Sequence, residues 1–144
     1  MEKRLFTVAF DLGGVVFSSH NDDKLFARNY LETSLVPGMY EIITTLSKTP
    51  RMKLIIISKA FPKNAQKSKE ILDLYSLTNC FNSIIFCEQN NSKFPIAKAM
   101  NVDVMIDDKE SVLSSFDDTI HTILFDEDTT HGLLESIIAL QKRR

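Results

Sequence analysis

The sequence is short of cysteine, glycine, proline and net charge, and it has no long apolar run. Two cysteines in 144 residues, Cys80 and Cys87, are too few for a disulfide framework and lack the paired spacing of a zinc site, so a reducing, cytoplasmic setting is expected. Four glycines and four prolines exclude a collagen-like chain and leave no obvious linker. A net charge of −2 gives no electrostatic footing for nucleic acid or an anionic membrane as the main partner. The longest apolar runs are strand-sized, far short of the ~20 residues that cross a bilayer. Residues 5–10 do not read as a signal peptide, because Asp11 interrupts the run and no small-residue cleavage site follows.

What is present is an ordinary globular composition, 44% hydrophobic and 25% charged, with enough chain for one domain over residues 1–144. Short apolar runs recur at 5–10 (LFTVAF), 53–57 (KLIII), 84–87 (IIFC), 102–106 (VDVMI) and 120–125 (IHTILF). Such near-continuous runs fit strands buried on both faces, as parallel sheets require. Between them lie segments with helical spacing. Residues 38–48 place Met39, Ile42, Ile43 and Leu46 on one stripe behind Pro37 and Gly38. Residues 63–77, 94–100 (with Pro95 in the first turn) and 130–141 read the same way, and 109–115 is good for one or two turns. Strand alternating with helix in this way predicts an α/β fold, a doubly wound, mainly parallel five-stranded sheet. Residues 18–36 interrupt the alternation as a polar insertion with room for one helix around Lys24–Thr33, placed to overhang the top of the sheet.

In open α/β sheets ligands bind beyond the carboxyl ends of the strands, where loops and helix N-termini converge. The first run delivers Asp11, followed by Leu12, Gly13 and Gly14. The second delivers Ser58 and Lys59, the third leads to Lys93 at a helix start, the fourth delivers Asp107 and Asp108, and the fifth ends in Asp126, Glu127 and Asp128. Carboxylates at neighbouring strand ends repel unless a cation or proton intervenes. All-oxygen ligation suits Mg²⁺, which is often held by one or two carboxylates plus water and phosphate. A serine hydroxyl and a lysine nearby can hold phosphoryl oxygens, and a carboxylate with a free face can attack phosphorus. The constellation points to a phosphoryl group.

These residues also carry a resemblance. VAFDLGGVVF at 8–17 resembles the first motif of the haloacid dehalogenase superfamily, and LIIIS at 54–58 its second. Lys93 resembles the third-motif lysine, and VMIDD at 104–108 the fourth motif, an apolar strand ending in an acidic pair. The four stand in order over most of the chain, and the short length resembles members without a large cap domain. IDDKESV is mildly similar to the small nucleotidase-like branch. The resemblance implies a Rossmann-like fold with the first strand central. It implies Asp11 as nucleophile and Mg²⁺ ligand, the Gly13 carbonyl and Asp107 as further ligands, and Asp108 supporting the metal. Ser58 and Lys93, with the Leu12–Gly13 turn, would bind the phosphoryl oxygens.

The sequence departs from that pattern at Gly13. Phosphatases of the superfamily usually carry there an aspartate that acts as general acid and then base. Any residue supplies the carbonyl, but glycine supplies no proton, and loss of general acid–base help is worth about 10²–10⁴-fold. Aryl and acyl phosphates, whose leaving groups need little protonation, would suffer least. His20 and Asp108 are the groups available to substitute.

Plainer readings exist for each residue taken singly. Asp11 can cap a turn, Ser58 can cap a helix and Asp107–Asp108 can form a capped turn; Lys93 by itself reads as a solvated lysine at a helix start. Lys98 is a rival lysine, though it is deeper in its helix and aimed away from the strand ends. Asp126–Asp128 read as a solvated loop, His121 and His131 lack partners at ligand spacing, Lys59 is left open, and Phe61 and Phe94 read as packing. The leading expectation is a Mg²⁺-dependent phosphohydrolase acting on a small phosphate ester, nucleotides included; a short insertion in place of a cap leaves the site open enough to admit a protein or nucleic-acid phosphate end as well. The second is a catalytically weak relative kept as a phosphate- or partner-binding module. A signalling receiver places its acidic pair after the first strand and its lysine after the last, so the order here argues against that class.

Overall fold

The computed structural model describes residues 4–19 and 29–144. Strand β1 (Phe6–Phe10) is buried at all five positions. After α1 (Met39–Ser47) come β2 (Met52–Lys59), α2 (Pro62–Leu74), β3 (Ser83–Cys87), α3 (Lys93–Ala99), β4 (Val104–Asp107), α4 (Glu110–Leu113), β5 (His121–Leu124) and α5 (Leu133–Lys142). The five strands form one sheet in the order β3-β2-β1-β4-β5, and every pairing is parallel. The expected α/β class is therefore observed, with β1 central.

The period-two alternation of side chains along a strand decides which helix covers which face. Val8, Phe10, Leu54, Ile56, Val104 and Ile106 point into one apolar layer, which α1 fills with Met39, Ile43 and Leu46, α2 with Ile71 and Leu72, and α5 with Leu133 and Ile137. The intervening Ala9, Ile55, Ile57 and Met105 point the other way, onto Ala97 of α3 and Leu113 of α4. Burial on both faces, as expected, holds for the central strands. It does not hold at the edge, where His121 and Leu124 of β5 are exposed.

Element ends shift by a few residues for local reasons. The expected helix 63–77 stops at Leu74, because Ser76 turns left-handed (φ 59°) and the Ser76 and Leu77 amides donate back to Asp73 and Leu72. The fourth strand runs one residue further than expected and takes in Asp107. The helix expected around Lys24–Thr33 falls mostly outside the described residues; its described part holds a single 3₁₀ turn, Tyr30–Glu32. At the amino ends of the strands Asp103 is buried, accepting from the Thr7 amide (2.8 Å) and pairing with Arg4 and Arg144. No helix among the described residues is long and apolar enough to cross a membrane.

Candidate active site

The carboxyl ends of β1 and β4 lie side by side because the ladder that pairs Phe10 with Ile106 continues one step: the Asp11 amide donates to the Ile106 carbonyl (3.0 Å). The chain then folds tightly. The Leu12 carbonyl accepts the amides of Val15, Val16 and Phe17 at 2.8–3.1 Å, and the Gly14 amide donates to the Phe17 carbonyl. That turn requires a positive φ at Gly14 (82°), which glycine adopts without a Cβ penalty.

Three carboxylates meet there. Asp11, Asp107 and Asp108 each offer an oxygen within 4.8 Å of the others. Lys93, the first residue of α3, is 2% exposed. Its Nζ lies 2.8 Å from Asp107 Oδ2 and 3.2 Å from Asp11 Oδ1. The remaining oxygen of Asp107 accepts the Lys109 amide (3.0 Å). Asp108 Oδ1 is buried and has no hydrogen-bond partner among the described residues. Ser58, at the carboxyl end of β2, is buried beside them and lines the same cavity of about 420 Å³ as Asp11, Leu12, Gly13, Lys93 and Asp108.

All seven residues singled out in the sequence are thus brought to one place. Lys93 overturns its plain reading: it is a buried bridge between two carboxylates and not a solvated lysine. Lys98 stays outside, reaching Thr119 Oγ1 (3.0 Å) and Asp117 on the surface. His121 and His131 are exposed and line a separate depression along β5. His20 lies outside the described residues.

No family model matches the chain, and no curated protein matches it. Solved structures do. A haloacid dehalogenase-like family hydrolase from Xanthomonas campestris superposes with a TM-score of 0.63 at 11% identity, covering 99% of this chain and 98% of that one. The HAD domain of the effector Lem4 from Legionella pneumophila gives 0.60 at 9% identity, covering 95% and 92%. A chain of the Pnkp1/Rnl/Hen1 RNA repair complex gives 0.65 at 15% identity over 85% of this chain, which spans only 43% of that larger one. The fold is that of the haloacid dehalogenase-like hydrolases.

Within this fold the cluster has a simple electrostatic imbalance: among the described residues, three carboxylates share one buried cation. Burial, and then the charges of Asp107 and Asp108, push the Asp11 carboxyl up to about 7, against the opposing pull of Lys93 and of the Leu12 amide. Asp108 is raised for the same reasons, burial first and Asp107 second. Burial alone would lower Lys93, but Asp11 and Asp107 outweigh it and hold the ammonium above its ordinary value. A divalent cation would remove the imbalance. The donor set is all oxygen, as Mg²⁺ prefers, and one of its buried oxygens has no partner among the described residues. The residues fit the metal.

Gly13 opens onto the cavity with nothing among the described residues within 4 Å of where a Cβ would sit, so a larger residue has room beside them. Two plain readings fail nearby. Phe61 is not packing but 56% exposed in the cavity wall; Phe94, by contrast, does pack edge-on against Phe116. Glu127 is not merely part of a solvated loop. It accepts from Ser18 Oγ (2.7 Å), from the Ser19 amide (2.9 Å) and from Ser19 Oγ, tying the end of β5 to the start of the insertion. Sequence reasoning missed Ser19, Asn64, Ser68, Asn90 and Lys109, which also line the cavity. For Asn64, Asn90 and Lys109 the signal was positional, two to five residues after a strand end, whereas Ser19 and Ser68 stand nine residues beyond β1 and β2 and carried no such signal.

Proposed function

We propose that the chain is a Mg²⁺-dependent phosphohydrolase that acts on a small phosphorylated substrate through an aspartyl phosphate. The observation that supports it best is the three-carboxylate cluster that, among the described residues, is balanced by a single buried lysine and keeps one oxygen unpartnered. Asp11, Asp107 and Asp108, with the Gly13 carbonyl, would hold the ion, which supplies charge neutralisation and polarises a phosphoryl oxygen. Lys93 and Ser58 bind the other phosphoryl oxygens and compensate charge as it builds. The Asp11 carboxylate attacks phosphorus: a new O–P bond forms, the ester O–P bond breaks, and the departing alkoxide takes up a proton from solvent water. Water then opens the acyl phosphate, restoring the carboxylate and releasing inorganic phosphate.

Gly13 leaves the departing alkoxide without a proton donor on that turn. Substrates with acidic leaving groups, aryl and acyl phosphates, are therefore the ones turned over fastest. The same observation favours a second reading, a phosphate- or partner-binding module with little turnover. A hydrolysis screen over phosphate esters with and without Mg²⁺, run beside Asp11→Asn, tests the first reading. Metal-dependent release of phosphate that the variant abolishes supports it, and activity that persists in the variant removes Asp11 from the mechanism. Gly13→Asp separates the two readings, since a gain of about 10²–10⁴-fold on alkyl phosphates shows that only the acid was missing.

A further inference from the structure

Three side chains at the rim of the cavity take no part in the chemistry above. Lys59 ends β2, Phe61 immediately precedes α2, and Lys109 follows the acidic pair; all three are exposed and line the cavity that holds Asp11 and Lys93. Their backbones are fixed. The Ala60 amide donates to the Cys87 carbonyl (2.8 Å), the Phe61 carbonyl accepts the Ala65 amide (2.8 Å), and the Lys109 amide is spent on Asp107. Neither lysine forms an ion pair among the described residues.

The phosphoryl group undergoing transfer is already served by Lys93, Ser58 and the metal, so two more cations at the rim exceed what one phosphoryl needs. A large aromatic ring left 56% in solvent forgoes burial but offers a flat face for stacking. With a net charge of −2 the chain is poorly suited to a long polyanion. A cavity of about 420 Å³ suits a molecule of one ring and a few polar groups. We infer that the site takes phosphate monoesters whose far end carries a flat ring and a second anionic group. Phe61 stacks on the ring, and Lys59 and Lys109 pair with the anion. The inference rests on the phosphohydrolase reading for the place of the reacting phosphate.

The test is calorimetric binding, with Mg²⁺, to the full chain carrying Asp11→Asn so that nothing turns over. The probes are ribose 5-phosphate, adenosine 5′-monophosphate and adenosine 3′,5′-bisphosphate. Affinity rises about tenfold when the base is added and about tenfold again with the second phosphate. Adding Phe61→Ala erases the first step, and adding Lys59→Ala with Lys109→Ala erases the second. Each leaves ribose 5-phosphate within about twofold, which separates lost recognition from lost folding. Equal affinity for all three probes overturns the inference and leaves the phosphohydrolase reading standing. A chain that binds none of them, and whose unsubstituted form hydrolyses no ester, overturns both. A 5′-phosphorylated oligonucleotide that binds more than about tenfold tighter than the bisphosphate overturns the small-molecule assignment.

Discussion

Gly14 and Asp108 face each other with no room for a methyl group between them: a Cβ on Gly14 would lie 2.7 Å from Asp108 Cγ and closer still to Oδ2. The turn after β1 and the acidic pair after β4 are therefore fitted to one another, and the residue that permits the fit is also the one held at positive φ.

Gly14→Ala tests that fit. The substitution strains the backbone and displaces the Asp108 carboxyl, at a cost of about 1–3 kcal/mol. It lowers Tm and weakens Mg²⁺ binding together, as thermal melts and a metal titration would show. Gly13→Ala, one residue away with nothing among the described residues within 4 Å of the added carbon, leaves Tm nearly unchanged.

Lys93→Met removes the buried cation that bridges Asp11 and Asp107. Leaving a buried charge uncompensated costs about 3–5 kcal/mol. Urea denaturation of the metal-free protein reads that loss, and Mg²⁺ restores part of it by supplying positive charge at the same place.

The raised Asp11 carboxyl makes the metal-free protein pH-sensitive. Its value rises from 3.8 in the open chain to about 7 in the fold, so the folded form binds the extra proton. The stability tied to it is complete below pH 3.8 and declines as pH rises through about 7. The Tm of the metal-free chain therefore falls by several degrees between pH 5 and pH 8. Asp11→Asn flattens that profile. Mg²⁺ competes with the proton and so stabilises more at pH 8 than at pH 5, which melting curves in parallel buffers would show.

Glu127→Ala releases the anchor on Ser18 and Ser19. Because Ser19 lines the cavity, the variant raises KM several-fold and leaves kcat close to unchanged. Hydrogen exchange at the Ser19 amide, which donates to Glu127 at 2.9 Å, speeds up by about tenfold.

Much of the architecture was legible because hydrophobic patterning reports burial. The run at 5–10 became the central strand, and Asp11 stands where that run breaks. Positions of charged residues were legible, but their solvent exposure was not. Lys93 sits at a helix start, where lysines are usually wet; only the approach of β1 and β4 converts it into a buried bridge. Glu127 was equally opaque, since its partners Ser18 and Ser19 lie more than a hundred residues away. Phe61 misled in the opposite direction, because aromatic character alone does not say whether a ring faces core or solvent.

The division of labour along the sheet has an evolutionary reading. Asp11 and Asp107 stand at the ends of two hydrogen-bonded strands, so their separation is inherited from the ladder and resists drift. Lys59, Phe61 and Lys109 stand in or beside the connections to α2 and α4, where residues can be exchanged without disturbing that ladder. On the proposed reading, what the site binds could change at Phe61 and Lys109, in the connections, while the carboxylates keep their places on the ladder.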